Sequence, residues 1–156
     1  MRRKLTIAVV GQNECSEETA QTAALIGRTI AQKKGVVICG GLGGVMEAAA
    51  RGAKEAGGVT VGILPTMNKN DANQYIDLVI PTGLGDARNV LVARAADAMI
   101  ALPGKYGTLS EIAFALMAGI PVVSVSSWVL GADVHQVENP LEAVEMAMDL
   151  AAKRLA

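Results

Sequence analysis

The sequence predicts an α/β domain: a mostly parallel sheet of about six or seven strands with helices on both faces. Three observations carry this expectation. Short β-branched runs alternate with longer helical stretches from end to end of the 156 residues, the rhythm of a parallel sheet with helical crossovers. The strand runs are continuously apolar, as for strands covered on both sides. Each switch is punctuated by Gly, Pro, Asn or Asp, and no linker, repeat or low-complexity tract divides the chain, so residues 1–156 are read as a single domain.

The first strand is Leu5 to Val10. The preceding Met1-Arg2-Arg3-Lys4 looks like the start of a secretion signal, but the apolar run is too short for one. A helix follows, with Ser16 as N-cap, Glu17 and Glu18 in its positive first turn, Lys33 and Lys34 in its last turn and Gly35 beyond. Next come a strand Gly35 to Cys39, a helix Val45 to Ala56 and a strand Val59 to Leu64. Pro65 to Tyr75 is irregular and polar, a loop placed beside the ligand site. Then follow a strand Leu78 to Ile80, a helix Leu84 to Ala96, a strand Ala98 to Leu102, a helix Thr108 to Ala118 and a strand Pro121 to Val125. The final helix is Leu141 to Lys153, after Asn139-Pro140.

Composition narrows the function classes. Fourteen basic residues against 15 acidic ones give a net charge of −1, and the chain holds one Trp, two Tyr and one Phe. A nucleic-acid surface needs a basic track and stacking platforms, so neither nucleic acid nor anionic lipid is an expected partner. Cys15, Cys39 and the single His135 match no metal or disulfide spacing, so no metal site is expected and a reducing cytoplasm is the default. His135 is read as a loop residue. The uncharged run Ile112 to Ala132 is broken by Gly119-Ile120-Pro121 and has no basic anchor, so it is read as a buried helix end running into a strand, not as a membrane span. Only 19% of residues are charged, below the roughly 25 to 35% of a typical soluble surface. A homo-oligomer, dimer or tetramer, is therefore expected, with this run and the Ala-rich helices supplying the self-association face.

In open parallel sheets ligands bind beyond the carboxyl ends of the strands. Four such ends carry unusual sequence: Gly11-Gln12-Asn13, Gly40-Gly41-Leu42-Gly43-Gly44, Gly83-Leu84-Gly85-Asp86-Ala87-Arg88-Asn89 and Pro103-Gly104-Lys105-Tyr106-Gly107-Thr108. The glycines at 40, 41, 43 and 44, with Gly104 and Gly107, form a candidate anion cradle at helix N-termini, against the plainer reading of tight strand-to-helix turns. Thr108 and Glu111 have capping-box spacing. Alternatively Glu111 points into a crevice with Arg88, where Arg88 takes a phosphate and Glu111 addresses a ribose hydroxyl or leaving group. Asp86 is either a ribose contact or an N-cap. Tyr106 is either a stacking surface for a base or pterin or a loop anchor. Trp128 reads as a core or interface residue. A nicotinamide-dependent oxidoreductase fares worse, since Gly41-x-Gly43 is followed by Met46 where the third glycine belongs.

The strings Gly40-Gly41-Leu42-Gly43-Gly44-Val45-Met46, Val61-Gly62-Ile63-Leu64-Pro65, Ala87-Arg88-Asn89 and Pro103-Gly104-Lys105-Tyr106-Gly107-Thr108-Leu109-Ser110-Glu111 resemble the Rossmann-like superfamily that includes the Lonely Guy phosphoribohydrolases and the molybdenum cofactor carrier proteins. The resemblance spans nearly the whole chain. In the phosphoribohydrolase branch it implies hydrolysis of the N-glycosidic bond of a nucleoside 5'-monophosphate, with Arg88 and Glu111 in the positions of the catalytic pair. In the carrier branch it implies binding of a phosphate-bearing ligand, the molybdenum cofactor or a nucleotide, with no cofactor required for chemistry. Two positions depart from the hydrolase pattern: Asn89 stands where Lys is usual, and Lys105 where Gly is usual. Ala-Arg-Asn and the short chain look closer to the carrier branch. The expected ligand set is Gly11, Gly40, Gly41, Gly43, Gly44, Arg88, Asn89, Gly104, Lys105, Tyr106, Gly107 and Thr108.

Overall fold

The computed structural model describes residues 2–156. Its sheet has seven strands, all parallel: β1 (Thr6–Val10), β2 (Val36–Cys39), β3 (Val59–Leu64), β4 (Leu78–Pro81), β5 (Ala98–Ala101), β6 (Val122–Ser124) and β7 (Val134–Gln136), in the order β4-β3-β2-β1-β5-β6-β7. The chain builds outward from β1 to β4, then returns to β5 on the other side of β1. The strand order thus reverses beside β1, which opens a crevice at its carboxyl end.

Side chains alternate across the sheet and feed two cores. Ile7, Val9, Val37, Ile100 and Val123 face α1 (Glu17–Gln32), α2 (Val45–Glu55) and α5 (Pro140–Arg154). Ala8, Val10, Ile38, Met99 and Val122 face α3 (Asn89–Arg94) and α4 (Tyr106–Met117). The predicted three-layer Rossmann-like α/β fold is therefore the one observed. Small residues let the first group of helices close up: a Cβ on Gly27 would overlap the carbonyl oxygen of Ala49, and one on Gly52 that of Ala24, so α1 and α2 touch backbone to backbone.

Several local expectations are corrected. β7 was not read from sequence, and His135 lies on it, paired in register with Val123, not in a loop. The stretch 84–96 is not one helix: a 3-10 turn at Gly85–Arg88 leads into the six-residue α3. Asp86 lies inside that turn and caps nothing. Helix α1 stops at Gln32, and Lys34 takes the left-handed position (φ 65°), with Gly35 buried against Ile30. Helix α4 starts two residues earlier than expected, with Lys105 as N-cap. Thr108 is therefore inside the helix, and Glu111 makes no capping-box bond to it. The uncharged run mostly enters the interior, since Ile112, Ala115, Val122, Val123 and Val125 are buried and only Met117 and Val129 are largely exposed among its large residues. No helix among the described residues is long and apolar enough to cross a membrane.

The 65–75 loop has a structural task. Asn73 donates its backbone N–H to the Gly41 carbonyl at 2.9 Å and its Nδ2 to the Leu42 carbonyl at 2.8 Å, bracing the glycine loop from outside.

Candidate functional site

The crevice beside β1 is a cavity of about 400 Å³, lined by the loop after β1, the glycine loop after β2, the 3-10 turn before α3 and the first turns of α4. This volume lies in the range of ordinary small-molecule sites. All four strand-end loops singled out in the sequence contribute to it.

Helix α4 forms one wall. Lys105, Gly107, Thr108 and Glu111 line the cavity. The N–H groups of Tyr106, Gly107 and Thr108 precede the first intrahelical bond, from Leu109 N–H to the Lys105 carbonyl (3.0 Å), so they are free donors at a positive helix end. No side chain caps this terminus. Gly104 allows its approach, because a Cβ there would overlap Thr108 Oγ1.

Arg88 forms the floor. It is only 9% exposed, and among the described residues its Nε has no hydrogen-bond partner. Burial lowers its pKa, while the nearby Glu111 carboxylate pushes the other way; a guanidinium nonetheless stays charged. Its seat depends on Gly40, where a Cβ would overlap Arg88 Nη1. Glu111 is also buried, and desolvation raises its pKa to about 8 against the opposing pull of Arg88. Arg88 and Glu111 share the cavity, yet among the described residues they form neither a hydrogen bond nor a close ion pair. Arg88 thus keeps its positive charge without a paired carboxylate, while the Glu111 carboxyl is mostly protonated at neutral pH.

Asn89 also reaches the cavity, and its Nδ2 donates to Ser110 Oγ at 3.0 Å, tying α3 to α4. Gln12, Asn13, Glu14, Leu42 and Met46 line the remaining wall with Gly11 and Asp86. Gln12, Asn13 and Leu42 were singled out in the sequence only as parts of strand-end loops, not as ligand contacts, while Glu14 and Met46 were not placed at the site; position alone could have found Glu14, since it follows the strand at which the order reverses.

The other glycines stand behind the lining. Gly43 donates its N–H to Asn13 Oδ1 at 2.8 Å. Gly44, the N-cap of α2, has φ 59°, and a Cβ on it would run into the Gln12 carbonyl oxygen. Gly41 has φ 79° and gives its N–H to Cys39 Sγ at 3.4 Å. Cys39 itself is fully buried, and desolvation pushes its pKa up to about 11, so it is a neutral thiol at physiological pH. Tyr106 is outside the cavity lining, 79% exposed, and stacks against Trp128 with ring centroids 6.4 Å apart. Among the described residues, no group of His, Cys, Asp and Glu is placed to hold a metal ion.

Comparison with known proteins identifies the family. An uncharacterised protein of Archaeoglobus fulgidus is 45% identical over 149 residues, covering 96% of this chain and 98% of that one. A cytokinin riboside 5'-monophosphate phosphoribohydrolase of Mycobacterium tuberculosis is 35% identical over 121 residues, covering 71% and 64%. Among solved structures, the molybdenum cofactor binding protein of Rippkaea orientalis superposes with a TM-score of 0.90 at 34% identity (96% and 99% covered), and the molybdenum cofactor carrier protein of Chlamydomonas reinhardtii with 0.89 at 32% (96% and 99%). The superfamily resemblance read from the glycine loops and the Pro-Gly-x-x-Gly-Thr-x-x-Glu element thus holds along the chain. The family model that matches runs over residues 4–153, from the start of the sheet to the last turn of α5, and it makes this chain a member of the SLOG cluster4 family.

Proposed function

We propose that this protein binds a phosphate-bearing, nucleotide-like ligand in the crevice beside β1 and acts as a carrier for it. The observation that carries the reading is Arg88: a buried cation with an unpartnered Nε, beside the free N–H groups of a helix terminus. Burying a charge without a partner is costly, and an anion at this point would offset that cost. The phosphate would lie against the first turn of α4, with Arg88 beneath it and Lys105 at the rim. Gln12, Asn13 and Asp86 supply amide and carboxylate groups along the rest of the cavity, suited to the hydroxyls and ring nitrogens of a nucleoside or a pterin. The glycines at 40, 41, 43 and 44 serve this site through the wall that they build. Solved relatives named for binding or carrying the molybdenum cofactor, matched over nearly their full length, favour that cofactor as cargo, while a relative named for a riboside 5'-monophosphate favours a nucleoside monophosphate.

Glu111 favours a second reading, hydrolysis of the N-glycosidic bond of a nucleoside 5'-monophosphate. A carboxyl titrating near 8 is largely protonated at neutral pH and can donate to a leaving base. In that reaction the C1'–N bond breaks, water supplies the hydroxyl to C1', and the base leaves with a proton. Arg88 would hold the phosphate while charge develops on the ribose.

One experiment separates the two. Purified protein is titrated with AMP and with inorganic phosphate by calorimetry, and base release from AMP and an N6-modified AMP is followed by chromatography. Saturable binding that weakens about tenfold to hundredfold in Arg88→Ala, without base release, supports the carrier. Base release abolished in both Arg88→Ala and Glu111→Ala replaces it with the hydrolase. No binding of either probe overturns both.

A further inference from the structure

Trp128 lies in the segment between β6 and β7, and its indole Nε1 donates to the carbonyl oxygen of Lys105 at 3.2 Å. That carbonyl already accepts the first intrahelical bond of α4, from Leu109 N–H. One oxygen therefore takes two donors, one holding the helix and one holding the helix to a remote segment. The indole is fixed in turn. Its ring stacks against Tyr106, the first residue of α4, and the Trp128 carbonyl accepts from Gln136 Nε2 on β7 at 3.3 Å. The residue also packs against the core on the α3 and α4 side of the sheet. A continuous link thus runs from the edge strand β7 through Trp128 to the N-cap of α4.

The link matters because of what α4 lacks. Ordinarily a Ser, Thr, Asp or Asn side chain caps a helix and fixes its entry angle. Here the N-cap is Lys105, with no side-chain cap bond among the described residues and non-helical dihedrals (φ −102°, ψ −141°). Lys105 itself lines the cavity. The direction of the free N–H groups of Tyr106, Gly107 and Thr108 must therefore be set by something other than a cap.

We infer that Trp128 is a positioning residue for the ligand: through the Lys105 carbonyl it aims the N-terminus of α4 at the phosphate. This rests on the proposed binding function, and it adds a residue outside the cavity as a determinant of affinity. Trp128→Phe removes the N–H donor and keeps a ring to stack on Tyr106. The Leu109 bond to Lys105 survives in that variant, so α4 remains a helix. The expected result is AMP affinity weakened about threefold to tenfold, the effect of one neutral hydrogen bond, with the melting temperature in the absence of ligand lowered by no more than about 2 to 6 °C. The same loss is expected when Trp128→Phe is made in a Lys105→Ala background, since the contact is to the backbone.

Trp128 is the only tryptophan, so the wild-type protein also gives one indole N–H resonance. It should exchange slowly with solvent and shift when AMP or phosphate saturates the site. This measurement stands even if the Phe variant does not fold. A wild-type protein that binds AMP, with equal affinity in Trp128→Phe or with an indole resonance that does not move, overturns the positioning role alone. Failure of the wild type to bind either probe overturns the binding function and this inference with it.

Discussion

Replacing Glu111 by Gln tests the electrostatics of the site without any ligand. The side chain is 7% exposed, and burial raises its pKa from the ordinary 4.5 to about 8 even with Arg88 nearby. Below pH 4.5 the carboxyl is protonated in both folded and unfolded chains and adds no pH dependence. Between 4.5 and 8 the unfolded chain gives up the proton while the folded one keeps it, so this group's contribution to stability falls as pH rises. Above 8 the folded protein must hold a buried carboxylate, and the full shift corresponds to roughly 5 kcal/mol. Water entry and side-chain relaxation reduce this, leaving about 2 to 5 kcal/mol. Gln keeps the shape and cannot ionise. In urea unfolding at pH 4.5 and pH 8.5, Glu111→Gln should match wild type within about 1 kcal/mol in acid and exceed its stability by about 2 to 5 kcal/mol in base. Other titrating groups are common to both proteins and cancel in the comparison. Equal stability differences at both pH values would refute the argument that Glu111 is held protonated by its surroundings.

Other perturbations follow from the same geometry. Gly40→Ala places a methyl on Arg88 Nη1 and 2.7 Å from Met46 Sδ; calorimetry should find AMP affinity reduced about as much as in Arg88→Ala, tenfold or more, and retained affinity would show that Arg88 does not need this seat. Asp97 is 4% exposed and accepts both Arg3 Nη atoms at 2.8 Å and Thr6 N–H at 2.9 Å. Its burial raises the pKa, but Arg3 and Thr6 more than offset this and hold it below the usual range, so the stability that it supplies is present at neutral pH and lost as pH falls through that lowered value. Asp97→Ala should therefore destabilise the fold by about 2 kcal/mol or more at pH 7 and by much less at pH 2 in urea titrations. Sedimentation velocity at micromolar concentration should give a dimer or tetramer covering Met117, Leu91 and Val129, which are 77%, 40% and 74% exposed; a monomer would remove the self-association expectation and leave the site untouched.

The sheet was legible because buried parallel strands carry continuous apolar runs, and five of the six strands read this way are buried; β4, at the sheet edge, keeps the apolar run although Leu78 and Ile80 are exposed. β7 could not be read: it has three residues, two of them the exposed His135 and Gln136, and it exists because β6 offers an open edge. The 84–96 stretch misled for a related reason, since its apolar spacing continues through Gly85–Arg88 while the backbone there winds more tightly. At the site, Arg88, Asn89, Lys105, Thr108 and Glu111 were all found from strand-end logic, and the cavity gathers them. The capping-box alternative for Glu111 depended on where α4 begins, which local spacing does not settle. Glu14 and Met46 carry no signal in the sequence, and Trp128 reaches Lys105 only through tertiary structure.

The backbone contact of α1 with α2 at Gly27 and Gly52 has a consequence for how the crevice is built. Helix α2 carries the glycine loop at its head, and at Gly27 and Gly52 it meets α1 backbone to backbone, with alanine and isoleucine side chains filling the rest of the seam. The opposite side is the short 3-10 turn at 85–88, whose Asp86 and Ala87 are exposed, leading into a helix of six residues. The two sides of the crevice are thus built differently, one braced helix against helix and the other carried on a short exposed turn.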